Sequence, residues 1–149
     1  MHKQLILIFG LLLSATLIGL PIEVVQSQTR FPGDVQLVVN AGDLQDTITK
    51  SLRQELRKIP GVFVTIGESD WILHVVAMKL TTKSGAASGL AVSWAIMKPH
   101  LGEPPGLVQW RDQGLRAGTM SDLNRICTGI VKDFQTQHLE PERKKSDKE

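Results

Sequence analysis

The residues that could support catalysis are few and scattered along the chain. His74 lies in an apolar segment, His100 in a proline-rich stretch and His138 near the end of a helical pattern. No pair of histidines has the spacing of a metal site. The sequence also lacks a nucleophile elbow, a phosphate-binding loop, a His-Glu-x-x-His motif and a Cys-x-x-Cys motif. We therefore predict that the protein is not an enzyme and that it holds no metal and no cofactor.

The remaining reactive groups have structural explanations. Cys127 falls on the apolar side of a helical pattern, whereas a nucleophilic thiol needs an exposed, electropositive setting. Glu68 and Asp70 form a close carboxylate pair, but they precede a strand, where such turn residues are common. A small hydrolytic site formed by Asp70, His100 and Glu103 stays open as an alternative.

The candidates for binding lie on predicted strands. Trp110 shares an edge strand with Arg111 and follows the loop that holds His100, so its ring could serve a partner rather than the core. In residues 90–96 small and bulky side chains alternate, which predicts a flat, partly exposed face of small residues. The predicted partner-binding residues are Trp110, Arg111, His100, Ala91, Ser93 and Ala95.

Two neighbouring strands in the middle of the chain organise the predicted fold. Residues 71–80 are rich in Val, Ile and Leu, and both of their faces are largely apolar, as in a central strand. A polar loop follows, and then a second strand up to Met97. Its bulky side chains should meet the helices; they are Leu90, Val92, Trp94 and Ile96.

Weaker strand patterns and two helical patterns flank this hairpin. Strands are predicted over 35–39, 62–66 and 107–117, with Val108 and Trp110 on one face of the last strand and Gln113 on the other. The first helix should begin at Asp43 as N-cap and end at Pro60, and the second should begin around Thr119. The order β-α-β-β-β-β-α predicts an α+β two-layer sandwich, a mixed five-stranded sheet with two helices on one face.

The N-terminus carries a targeting signal. A basic start, an apolar run over 5–20 and small residues up to Ser27 predict a cleaved signal peptide over 1–27, and hence a secreted or periplasmic protein. The alternative is an uncleaved signal that tethers the protein to the membrane. Without a cysteine just after the signal, a lipid anchor is not predicted, and the single Cys127 excludes an intramolecular disulfide.

The mature chain is predicted to form one domain. Residues 28–34 are expected to form a flexible leader, 35–138 a single α+β domain and 139–149 a disordered charged tail. The formal net charge of +2 is too small to favour a nucleic-acid partner. After signal cleavage no membrane span is predicted.

One short segment resembles a known group of proteins. Asp70, Trp71, Leu73 and Val75 follow a helix, a strand and a short turn, in the pattern Asp-aromatic-x-Leu-x-Val. This arrangement resembles small bacterial envelope domains such as the N-terminal domain of TolB, and it is similar to periplasmic accessory lipoproteins. The resemblance implies a non-catalytic role in binding or scaffolding other envelope components.

Taken together, the sequence predicts a secreted or periplasmic interaction module of the cell envelope. Its partner would be another envelope protein, or a second copy bound through the open sheet face. A small-ligand carrier is the alternative, with a pocket between helices and sheet lined by Met78, Met97 and Phe134.

Overall fold

The structure is a computed structural model that describes residues 33–100 and 106–148. The predicted signal peptide over 1–27, the leader up to residue 32 and Glu103 lie outside the described residues.

Five strands and three α-helices follow one another along this part of the chain. They are β1 (Asp34–Asn40), α1 (Gln45–Leu56), β2 (Phe63–Thr65), β3 (Trp71–Thr81), β4 (Ala87–Pro99), β5 (Val108–Gly118), α2 (Leu123–Phe134) and α3 (Glu140–Ser146). Turns of 3₁₀ helix precede α1 and α2, and a π-helical turn, Gln135–Leu139, joins α2 to α3.

The strands form one mixed sheet in the order β2-β1-β3-β4-β5. β1 pairs in parallel with β2, because α1 carries the chain from the end of β1 back to the start of β2. On its other side β1 pairs in parallel with β3. β3, β4 and β5 then pair antiparallel as successive hairpins. The predicted α+β two-layer sandwich is confirmed, with β3 as its central strand.

The core lies between one face of this sheet and the helices. Every second residue of β3 from Trp71 to Ala77 is buried, and so are the bulky residues of β4. α1 contributes Ile48, Leu52 and Leu56, which recur at helical spacing. The apolar stripe of α2, from Leu123 to Phe134, covers the rest of this face. The bulky side of β4 therefore meets the helices, as the alternation predicted.

The first helix begins differently from the prediction. Asp43 lies inside the 3₁₀ turn Gly42–Leu44 instead of capping α1, and its carboxylate accepts a hydrogen bond from the Lys79 ammonium of β3. The carboxylate is thus used in an ion pair that ties the start of the helix to the sheet.

The boundaries of two strands also differ. β2 has only three residues, Phe63–Thr65, because only these pair with β1. β4 extends beyond Met97 through Lys98 and Pro99, which pair with Gln109 and Val108 of β5. Pro99 is tolerated there because it is the last residue of the strand.

The charged tail, expected to be disordered from residue 139, is helical up to Ser146. Leu139 is fully buried and extends the core by one turn beyond Phe134. Lys98 donates to both carboxylate oxygens of Glu142 at 2.8 and 2.7 Å, and Arg143 donates to the backbone carbonyl of Pro60. A buried leucine and two long-range polar contacts hold this segment against the domain.

Candidate functional site

The side of the sheet that faces away from the helices forms the candidate site, which we call the open face. Strand register defines it, since paired residues in neighbouring strands point to the same side. One row across the sheet contains Val38, His74, Ala95 and Gln113, and the next contains Asn40, Val76, Ser93 and Leu115. Further rows place Ile72 with Met97 and Trp110, and Met78 with Ala91 and Ala117.

Large apolar side chains project from this face into solvent. The exposed fraction is 61% for Trp110, 71% for Leu115 and 59% for Met78. Phe63 of β2 is also exposed, and it pairs with Asp34 on the same side of the sheet as Gln36 and Val38. This group of exposed apolar side chains makes the open face the candidate binding surface of the domain.

Two of the projecting residues, Trp110 and Leu115, border a shallow groove of about 520 Å³. Ser93 and Ala95 of β4 form its floor, because their side chains are the smallest in the row. His74 and Val76 of β3 line one side, and Trp110 and Leu115 of β5 line the other.

The open face carries almost no formal charge. Within the described parts of β1 to β5, the register places a charged side chain on this side only at Asp34, the first residue of β1. Arg111 lies in the bulge of β5 at the margin of the face. The amide Nδ2 of Asn40 donates to Nε2 of His74 at 2.9 Å, so these two polar side chains satisfy each other.

The structure brings three of the six predicted binding residues into one groove. Trp110, Ser93 and Ala95 line it together, although Ala95 is only 7% exposed. Ala91 lies on the same face, opposite Met78 and Ala117. Arg111 and His100 are exposed outside the groove, and the backbone N–H of His100 donates to the carbonyl of Leu107 where β4 and β5 part.

The relative orientation of Trp110 and Gln113 in β5 was predicted wrongly. Simple alternation places Trp110 and Gln113 on opposite faces, but both lie on the open face. The register shifts between Ile96 and Met97 of β4, leaving Arg111 as the extra residue of a bulge in β5. The bulge also brings Leu115 onto the face of Trp110, which is why the sequence did not identify Leu115 as a binding residue.

The structure does not support a ligand pocket formed by Met78, Met97 and Phe134. Phe134 is buried in the helix-facing core, whereas both methionines lie on the opposite side of the sheet. The sheet itself separates the three side chains, so they cannot line one cavity.

The carboxylate of Asp70 has a structural contact of its own. Its Oδ2 accepts a hydrogen bond at 3.0 Å from the backbone N–H of Asp34, where β1 begins. The described residues contain no group of three or more histidine, cysteine or acidic side chains that could hold a metal ion.

Cys127 is fully buried in α2, as predicted for a core residue. Burial raises the pKa of its thiol, because the thiolate would lose its hydration. The cysteine is therefore neither exposed nor activated as a nucleophile.

No protein-family model matches the sequence, and no curated protein matches it either. Similar solved structures include a PelC dodecamer from Paraburkholderia phytofirmans, 17% identical with a TM-score of 0.45, which covers 70% of this chain and 86% of that chain. A minor lipoprotein from Acinetobacter baumannii is 12% identical with a TM-score of 0.36, covering 75% and 93% of the two chains. Rare lipoprotein B from Shewanella oneidensis is 16% identical with a TM-score of 0.26, covering 76% and 94%.

Two of these structures are lipoproteins by name. TM-scores below 0.5 assign the chain to no family and transfer no function to it. In residues 33–100 and 106–148, none of the helices has the length and apolar character needed to span a membrane.

Proposed function

We propose that the chain is a secreted, non-catalytic interaction module of the bacterial cell envelope that binds a protein partner through the open face. The apolar open face carries this proposal. Removing a large apolar side chain from water contributes roughly 1.5–3 kcal/mol, so covering Trp110, Leu115 and Met78 would give a partner substantial binding energy.

The arrangement of the groove also favours a protein partner. Tryptophan is enriched among the residues that dominate binding energy in protein interfaces, most of all where neighbouring contacts exclude water. Trp110 stands beside a floor of small residues, so a partner side chain can pack against the ring and reach the backbone of β4. The secreted location is supported by the N-terminal sequence pattern.

Site-specific photo-crosslinking in the native host tests this function. A photoreactive amino acid replaces Gln113, which lines the groove without being one of its projecting apolar side chains. Irradiation of living cells should give a covalent product with a protein, identified by mass spectrometry. The matched control carries the same group at Ile66, which is 95% exposed but lies outside the five strands. No product should form there.

Trp110→Ala supplies the second arm of the experiment. Loss of a central interface tryptophan often weakens binding by about 2 kcal/mol or more, so the yield at position 113 should fall roughly tenfold or more. Ile66→Ala should leave that yield unchanged. The proposal would be refuted if no protein is crosslinked at position 113. It would also be refuted if positions 113 and 66 give equal yields of crosslinked product and Trp110→Ala changes neither yield.

A further inference from the structure

We propose that the occupant of the open face is a second copy of this chain, with the two sheets packed face to face around a two-fold axis. This inference rests on the proposed function and identifies its partner.

Charge is the first reason. A partner with charged side chains at the contact would bury them against a face whose rows contain only Asp34 at one end, and buried charges without partners are costly. The sheet of a second copy brings the same rows, which carry charge only at Asp34 among the described strands. Both surfaces then match electrostatically without any ion pair across the interface.

Shape is the second reason. A two-fold interface uses the same patch on both copies, so the patch must carry both projections and a depression to receive them. Trp110 and Leu115 project at 61% and 71% exposure, and the groove over Ser93 and Ala95 lies directly beside them. The open face thus holds both halves of a self-complementary contact.

Area is the third reason. The five strands contain 7, 3, 11, 13 and 11 residues. At about 3.4 Å per residue and 4.8 Å between strands, the face measures roughly 700 Å². Stable interfaces of ordinary size bury about 1,200–2,000 Å² in total, or roughly 600–1,000 Å² per partner, so a face of this size lies within the range of a stable dimer. Two sheets packed in this way form a common arrangement with a spacing of about 10 Å.

Analytical ultracentrifugation of the protein, purified as the cell processes it, tests the inference. The wild type should sediment as a dimer at micromolar concentration. Leu115→Arg places one charge from each copy in the uncharged contact, and should raise the dissociation constant roughly 100-fold, giving a monomer. Ile66→Arg makes the same chemical change off the face and should remain a dimer. Met78→Glu, at another exposed position of the face, replaces Leu115→Arg if that variant fails to fold.

The outcomes separate this inference from the proposed function. A wild type that stays monomeric up to about 100 μM, or a dimer that survives both open-face substitutions, overturns self-association. If position 113 then crosslinks to a different protein, the interaction module stands and only the identity of its partner is wrong. Crosslinked chains of twice the monomer mass, lost with Leu115→Arg, support both.

Discussion

At the scale of single residues, Gly114 leaves room for the Trp94 ring at the edge of the core. A Cβ at Gly114 would collide with the indole ring of Trp94, which lies across this position from the neighbouring strand. The guanidinium of Arg116 lies 5.5 Å from the centre of the same ring and donates to Asp133 of α2 at 2.6 Å. The Trp94 ring thus fills the space between β5 and the helices, because β5 itself has no large apolar side chain on that side.

Gly114→Ala should therefore destabilise the fold. The Trp94 ring is buried and cannot move without opening the core, so we expect a loss of about 1–3 kcal/mol in the free energy of unfolding by urea. Gln113→Ala, at the neighbouring exposed position of β5, is the control and should change the free energy of unfolding by less than about 0.5 kcal/mol. Equal losses for the two variants would contradict this account of Trp94.

Asp122 is the second residue with a definable role. Its carboxylate accepts hydrogen bonds from the backbone N–H and the hydroxyl of Thr119 at 2.9 and 2.8 Å, and from Arg125 at 2.9 Å. These bonds lower the pKa of Asp122 from 3.8 to about 2, with the Thr119 backbone bond as the largest cause. The carboxylate therefore stabilises the turn that begins α2 only while it is ionised.

The stability of Asp122→Ala should depend on pH in a defined way. The pKa of Asp122 is lower in the folded protein, at about 2, than its ordinary value of 3.8, which applies to the unfolded chain. The stabilisation by the Asp122 carboxylate is therefore complete above pH 3.8 and is lost as the pH falls towards about 2. Wild type should thus unfold at higher urea concentration than Asp122→Ala at neutral pH, and the difference should narrow below pH 3.8. A difference that stays constant down to pH 2 would show that Asp122 does not act through its charge.

At the scale of elements, the π-helical turn lets the C-terminal segment remain helical. Pro141 has no N–H to donate, and its ring would clash with the preceding turn of a regular α-helix. The preceding turn here is the wider π-helical turn Gln135–Leu139, which ends two residues before Pro141. A π turn also brings residues five apart to one side, as it does for Phe134 and Leu139 in the core. His138 of the same turn also lies against the core, with the centre of its ring 5.8 Å from the centre of the Trp71 ring.

Leu139→Ala should test whether this turn belongs to the core. Removing a fully buried leucine side chain costs about 2–5 kcal/mol, and we expect that loss in thermal or urea unfolding. Thr136→Ala, at an exposed position of the same turn, should change stability by less than about 0.5 kcal/mol. Wild-type stability for Leu139→Ala would instead fit the disordered tail that the sequence predicts.

At the scale of the whole molecule, the helices within residues 33–100 and 106–148 cover one side of the sheet and not the other. α1, α2 and the π turn supply the second layer, and all the fully buried leucine and phenylalanine side chains lie between the layers. The described part of the fold thus leaves Trp110, Leu115 and Met78 exposed on the open face. If the proposed interaction is correct, its binding surface is formed by the strands of the sheet rather than by loops.

Much of this architecture follows from the sequence alone. The alternation in residues 71–77 and 90–96 determines which side chains are buried, because a strand directs neighbouring side chains to opposite faces. The spacing of Ile48, Leu52 and Leu56 determines the buried side of α1 for the corresponding helical reason. Short-range periodicity was therefore sufficient to predict the five strands, the first two helices, their order and the two layers, but not the π turn or α3.

The tertiary structure decided what periodicity cannot encode. Trp110 and Leu115 lie five positions apart in the sequence, an odd number, so alternation alone assigns them to opposite faces. They share the open face because the register against β4 inserts a bulge at Arg111. Strand register depends on pairing between distant segments, and so does the contact of Lys98 with Glu142 that holds α3. The candidate site exists only once those segments have met.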